Sequence, residues 1–224
     1  PVLITEQKDL IGLAQTGTGK TAAFGLPMIQ RIDVKKNIVQ GLVIAPTREL
    51  CVQISNDFKA FSKFIKGLSV ATIYGGASMD KQAKEIRSGA QIVVATPGRL
   101  MDLMKRRMIK INRVSYVVLD EADEMLNMGF KEDIDGILEH TPTEKLTWLF
   151  SATMPKEVAK ISKSYMSNPL EITVGHKNVG AENIQHVYYS IPERERYKAV
   201  KRILDFNPNI YGLIFCRTRR NTQE

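Results

Sequence analysis

Two short runs hold residues whose types and spacing could do chemistry. In Val117-Val118-Leu119-Asp120-Glu121-Ala122-Asp123, an apolar stretch delivers two adjacent carboxylates, and a third follows. In Ala14-Gln15-Thr16-Gly17-Thr18-Gly19-Lys20-Thr21, a glycine-rich stretch joins the apolar run 10–13 to a helix expected to open at 21–24. Glycines so placed let backbone N–H groups converge on an anion at a helix start. In such a cradle Lys20 reaches the β- and γ-phosphates and the Thr21 hydroxyl ligates Mg²⁺. Alanine at position 14 replaces the usual first glycine. Acidic residues after a strand are often only the first turn of a helix, favoured by its dipole, and Asp123-Glu124 alone reads that way. Asp120 does not, because it leaves an unbroken apolar strand and so belongs at the carboxyl edge of a parallel sheet, where α/β ligands bind. There it can hold the Mg²⁺ that Thr21 also holds, leaving Glu121 to orient or deprotonate an attacking water. Together the two runs point to a nucleoside triphosphatase.

These groups are far apart in sequence, so a scaffold must bring them together. Apolar or β-branched runs recur at 41–45, 68–73, 91–95, 114–119, 146–150 and 170–174. Amphipathic stretches of helix length lie between them. Leu50, Cys51, Ile54, Phe58, Phe61 and Ile65 keep helical spacing, as do Val158, Ile161 and Tyr165 after Pro155. Strands apolar on both faces and separated by helices imply an α/β fold with a mostly parallel sheet covered on both sides. The chain has 224 residues, 43% of them hydrophobic, which suffices for one core of ordinary domain size. Residues 1–174 are expected to form that domain. Residues 175–183 turn polar and read as a linker, followed by a strand at 184–191, a helix at 193–206 and a strand at 211–216. Residues 184–224 are too few to bury a core of their own, so they read as the incomplete beginning of a second α/β domain. The start, at Pro1 without an initiator methionine, reads as cut as well.

Lysine and arginine number 32 against 24 acidic residues, a net charge of +8, and the pI is near 9.4. That balance favours polyanionic partners, although runs such as Lys105-Arg106-Arg107 with Lys110 read as solvated surface. No apolar stretch approaches the roughly 20 residues of a membrane span, and no leader directs export. Cys51 and Cys216, the only cysteines, read as core positions, and a reducing cytoplasmic setting is expected. His140, His176 and His186 lack ligand spacing, and Met125 to Met128 read as core packing.

Six segments stand in the order and spacing of DEAD-box ATP-dependent RNA helicases: Ala14 to Thr21, Pro46-Thr47-Arg48-Glu49-Leu50, Gly75-Gly76, Thr96-Pro97-Gly98-Arg99, Asp120-Glu121-Ala122-Asp123 and Ser151-Ala152-Thr153. Leu213 to Thr218 resembles the first motif of that family's second RecA-like domain. The resemblance implies ATP and Mg²⁺ at the first and fifth segments. It also implies RNA-stimulated ATP hydrolysis coupled to local unwinding of short duplexes. It gives Pro46, Thr47, Arg48, Gly75, Gly76, Thr96, Pro97, Gly98 and Arg99 the RNA backbone, contacts that carry little sequence preference. Read singly, Thr47 and Thr96 are equally helix N-caps, Pro97 a first helical residue and Gly75-Gly76 a turn. Ser151 and Thr153, on their residues alone a hydroxyl cap, are implied together with Asp123 to couple ATP state to the RNA interface. A DNA-acting superfamily-two helicase and a non-catalytic ATP-gated RNA clamp share the same first signals. The family's adenine-reading glutamine lies upstream of the phosphate loop and has no match in Gln7, and its second-domain arginine motifs would lie past Glu224. Adaptor proteins are not legible in the sequence.

Overall fold

Seven runs of four to six residues, mostly buried, form one sheet in which every pair of neighbours is parallel. The computed structural model describes residues 2–15, 17–174, 185 and 187–223. In chain order the elements are α1 Val2–Thr5, β1 Leu10–Leu13, α2 Lys20–Arg31, β2 Gly41–Ile44, α3 Arg48–Phe61 and β3 Val70–Ile73. Then come α4 Met79–Arg87, β4 Ile92–Ala95, α5 Pro97–Lys105, β5 Tyr116–Leu119, α6 Ala122–Asn127 and α7 Lys131–Glu139. The remainder are β6 Leu146–Ser151, α8 Lys156–Tyr165, β7 Leu170–Thr173, α9 Arg196–Phe206 and α10 Arg219–Gln223. The strands lie side by side in the order β3-β4-β2-β5-β6-β1-β7.

The sheet separates two apolar layers because successive side chains leave a strand on opposite faces. Leu42, Val93, Val117 and Leu149 pack with the α5, α7 and α8 residues Leu100, Leu103, Ile137 and Val158. Val43, Val94, Val118 and Trp148 pack against the α2 and α3 residues Phe24, Met28, Ile54 and Phe58. Gly12 is required by close approach, since a Cβ there would meet the Phe150 ring at 2.7 Å. At the edge where the strands begin, the buried Asp9 accepts hydrogen bonds from the N–H groups of Thr147 at 2.6 Å and Ser167 at 2.5 Å. One carboxylate thus fixes the entries to β6 and β7 beside β1.

Several local readings differ from expectation. The helical stripe that ran on to Ile65 stops at Phe61, because the Ser62 hydroxyl donates to the Phe58 carbonyl at 2.7 Å and closes the last turn. Met125 is buried, but Met128 is 47% exposed. The chain divides into two compact units, Pro1–Val179 and Gly180–Glu224. In the second, the helix expected at 193–206 is present as the 3₁₀ turn Glu193–Glu195 followed by α9. No strand forms at 187–191 or 211–216 among the described residues, and Tyr211, Leu213 and Phe215 stand exposed. A strand needs a ladder partner and a face to cover, and the described residues of this unit supply neither. Cys216, expected in a core, is accordingly exposed. The linker expected at 175–183, Ile184 and His186 lie outside the described residues.

Candidate functional site

All six motif segments emerge at one edge of the sheet, the edge where the parallel strands end. Their spatial order differs from their sequence order and follows the strands. Gly75-Gly76 follows β3, Thr96 to Arg99 follows β4, and Pro46 to Leu50 follows β2. Asp120 to Asp123 follows β5, Ser151 ends β6, and the glycine-rich loop follows β1. The segments therefore sort into two neighbouring halves, one over β3-β4-β2 and one over β5-β6-β1.

In the second half, β1 and β5 flank β6 in register, with Leu13 opposite Ser151 and Leu119 opposite Leu149. The ladder extends one residue past each strand, through Ala14 N–H to Ser151 O at 3.0 Å and Asp120 N–H to Ile44 O at 2.9 Å. Alternation then sends Asp120 to the face that carries Val118, the face on which α2 packs. Lys20 is the first residue of that helix. Gly17 and Gly19 adopt φ values of 82° and 83°, where a side chain would be strained, although a Cβ at either would meet no atom within 4 Å. Their need for glycine is thus conformational. Thr18 Oγ donates to Gln15 O at 2.8 Å, and Lys20, 9% exposed, donates through Nζ to Ala14 O at 3.2 Å. Thr21, half-buried, is the second residue of α2, and Thr16 lies outside the described residues. An apolar cleft of about 500 Å³ opens beside the loop between Leu3, Leu26, Pro27 and Ile172, with Lys20 and Thr18 in its wall.

Asp120 is 3% exposed. Burial pushes its carboxyl up to about 6, with Glu121 and Asp123 adding to the rise and Lys20 opposing it. Its Oδ1 accepts from the Glu121 N–H at 3.1 Å. Glu121 adopts φ 52° and ψ 51°, a left-handed conformation that costs a non-glycine residue roughly 1–2 kcal/mol. Strain of this kind persists where the surroundings over-determine it, commonly at functional positions. Asp123 is bound across the gap between β5 and β6. Its Oδ2 accepts from Thr153 N at 2.9 Å and Thr153 Oγ at 2.6 Å, while its own N–H donates to Ser151 Oγ at 3.3 Å. Burial works against its charge, but the hydrogen bonds from Thr153 and Ser151 hold its carboxyl below the ordinary carboxylate range. Ser151 therefore does cap a helix, but the helix is α6, reached from a neighbouring strand; α8 begins after Pro155 with no side-chain cap.

In the first half, Arg48 lies over the Tyr74 ring, 4.8 Å from its centroid. Its Nη1 is 4.0 Å from where a Cβ on Gly76 would sit. Arg99 donates through Nη1 to Ala77 O at 2.9 Å and to Gln82 Oε1 at 3.2 Å, and Gln82 Nε2 donates to Tyr74 O at 3.0 Å. Thr47 caps α3 through Leu50 N–H at 3.2 Å. Thr96 holds the corresponding position before α5 but makes no side-chain cap bond, with the buried Pro97 in the first turn. Gly98 and Arg99 are half-buried there, while Gly75 and Gly76 are exposed and Pro46 is buried. Tyr74 and Gln82 were not singled out from sequence. Gln82 left one signal, a polar residue beside Ala83 on the buried face of α4.

This arrangement, a parallel sheet with a glycine loop and acidic pair at its carboxyl edge, is a RecA-like α/β fold, and the chain belongs to the DEAD/DEAH box helicase family, whose profile matches residues 1–161. It is 45% identical over 222 residues to the DEAD-box ATP-dependent RNA helicase CshA of Streptococcus pneumoniae, covering 99% of this chain and 42% of that protein. Against the ATP-dependent RNA helicase CshA of Listeria monocytogenes it is 47% identical over 219 residues, 98% of this chain and 42% of the relative. A crystal structure of a DEAD box protein from the hyperthermophile Methanococcus jannaschii superposes with a TM-score of 0.75 at 38% identity, covering all of this chain and 59% of that one. The chain thus spans less than half the length of these curated relatives.

Removing the buried charge at Asp120 should stabilise the ligand-free protein. A carboxyl whose folded pKa is raised binds its proton more tightly when folded, so the group's contribution is greatest below the unfolded value near 4. That contribution is lost as pH rises through about 6. Asp120→Asn keeps an acceptor for the Glu121 N–H and removes the charge. Without nucleotide or divalent ion, its melting temperature at pH 7 is expected to exceed wild type by an amount equivalent to roughly 1–3 kcal/mol. Thermal melts at pH 4 and pH 7 check this: the gain should shrink towards pH 4, and an equal gain at both would contradict it.

Proposed function

We propose that this chain is the ATP-binding part of an RNA-stimulated ATPase that separates short RNA duplexes locally, residues 1–174 forming its first RecA-like domain and 184–224 the beginning of a second. The observation that carries the reading is the division of one sheet edge into a phosphate-loop and acidic half beside an arginine, threonine and glycine half. Names of relatives over almost the whole chain support it.

In this reading the loop from Ala14 to Thr21 cradles the triphosphate through its N–H groups, and Lys20 pairs with the outer phosphates. The residues fit a magnesium ion: Asp120 is a buried carboxylate that accepts the Glu121 N–H at Oδ1, and Thr21 supplies a hydroxyl beside the loop. Among the described residues no group of three or more His, Cys, Asp or Glu could hold a metal. Mg²⁺ takes one or two protein oxygens and leaves the rest to phosphates and water, and Asp120 and Thr21 would be those two. The ion would neutralise charge on the phosphates. Glu121 orients the attacking water and accepts its proton, its position set by the Asp120 carboxylate and the left-handed backbone. Asp123, Ser151 and Thr153 join the ends of β5 and β6, so a shift of the acidic pair is felt along the edge.

On the other half, Arg48, Thr47, Thr96, Arg99 and the N–H of Gly98 face the RNA backbone, with Pro46, Pro97, Gly75 and Gly76 shaping the surface. Arg99 already spends one nitrogen on Ala77 and Gln82, so it both braces the Gly75-Gly76 loop and contacts phosphate. A cytoplasmic setting belongs to the same reading, supported by the free Cys51 and Cys216. Among the described residues no helix is long and apolar enough to cross a membrane. The chain by itself is expected to bind nucleotide and hydrolyse it slowly. Phosphate release measured with RNA, with DNA of matched sequence and with neither tests the reading. Stimulation by RNA alone is expected; equal stimulation by DNA would replace it with a DNA-acting helicase.

A further inference from the structure

The edge of the sheet where the strands begin carries a second cluster of cations, remote from every motif segment. Because the sheet is parallel throughout, the connections entering β2, β3 and β4 all lie on this edge, and those three strands are neighbours. Two buried glutamines bind them into one surface. Gln91, 1% exposed, accepts from Ser69 N at 2.8 Å and donates to the carbonyls of Val34 and Gly67, each at 3.2 Å. Gln40 donates its N–H to Gln91 O at 2.8 Å, and its amide group reaches Asp33 O at 2.8 Å and Lys36 O at 3.2 Å. A Cβ on Gly89 would already crowd Asn37 at 3.1 Å. Side chains on these connections are therefore displayed by a fixed frame.

That frame presents Lys35, Lys36, Lys63, Phe64, Lys66 and Arg87, all exposed. Phe64 is 89% exposed, with Lys63 Nζ 5.5 Å from its ring centroid. Asp33 pairs with Lys36 at 3.4 Å; among the described residues the other four cations make no ion pair. The remaining acidic residues nearby in sequence are Asp57 and Glu85. One exposed phenylalanine is ordinary. An exposed ring beside one lysine, with four further exposed cations on connections at the same sheet edge, suits a single strand, cations tracking phosphates and the ring stacking on a base. A lipid surface fits less well, since it favours a broad apolar face on an amphipathic helix.

We propose that this surface is a second docking site for single-stranded nucleic acid, with Phe64 as the stacking platform and Lys35, Lys36, Lys63, Lys66 and Arg87 along the backbone. It lies on the opposite sheet edge from the glycine loop, so it holds a strand independently of nucleotide. Fluorescence anisotropy of this chain with a labelled oligouridylate, without nucleotide, tests it. Phe64→Ala should weaken binding about tenfold, within the range of one lost stacking contact. Lys63→Gln with Lys66→Gln should weaken it further and flatten the log–log salt dependence by about 1.4, two phosphate contacts' worth. Both variants should keep the wild-type melting temperature and ATP affinity, and a photo-crosslinking oligonucleotide should label the peptide containing Phe64. Unchanged RNA affinity and salt slope in both variants would overturn the proposal. So would Phe64-dependent binding to phosphatidylserine vesicles with RNA binding unaffected.

Discussion

Lys20→Ala is expected to lower the affinity for ATP by about two to three orders of magnitude in isothermal titration calorimetry. The side chain is almost wholly buried, and its ammonium is held on the Ala14 carbonyl at 3.2 Å, so its position is set before any phosphate arrives. Truncating one partner of a close charge pair costs roughly 2–5 kcal/mol, part of it from leaving the other charge unpaired. Here that other charge is not only the triphosphate. Lys20 also opposes the rise of the Asp120 carboxyl, so its loss pushes Asp120 further towards the protonated form and weakens a second ligand of the same pocket. The backbone should be little disturbed, because the loop's shape rests on Gly17 and Gly19. An unchanged dissociation constant would remove the glycine loop from nucleotide binding.

Glu121→Gln should reduce phosphate release under saturating RNA by roughly 10²- to 10⁴-fold, the usual contribution of a positioned general base. ATP affinity should stay within about threefold. The substitution preserves the side chain's shape and leaves the N–H that donates to Asp120 at 3.1 Å, so the left-handed turn and the acidic neighbour are retained. Single-turnover release of labelled phosphate, with protein in excess, gives the sensitivity a slow chain needs. A parallel fall in affinity and rate would show that Glu121 shapes the pocket and leave the water without its base.

The strands were legible because a parallel sheet buries both faces, so each strand reads as an apolar run between amphipathic helices. The same rule explains the second unit: 211–216 has a strand's composition, yet a strand is a partnership and composition names only one side of it. The chemistry of Asp120 was legible in type and position, since an acid following Val117-Val118-Leu119 must stand at a strand end. What bonds to Asp123 was not, because Ser151 and Thr153 arrive from β6, a neighbour fixed only by strand order. Gln82 and Tyr74 stayed hidden for a similar reason. Their work is to brace Arg99 and underlie Arg48 through space, and nothing in the spacing of the chain records it.

Backbone amide NMR of the isotopically labelled chain titrated with ATP and magnesium tests directly that two distant segments share one pocket. Signals of Gly17, Gly19, Lys20 and Thr21 are expected to shift together with those of Glu121, Ala122 and Thr153, while Gln40 and Gln91 at the opposite edge stay still. Shifts confined to the glycine loop, or centred on the opposite edge, would contradict it.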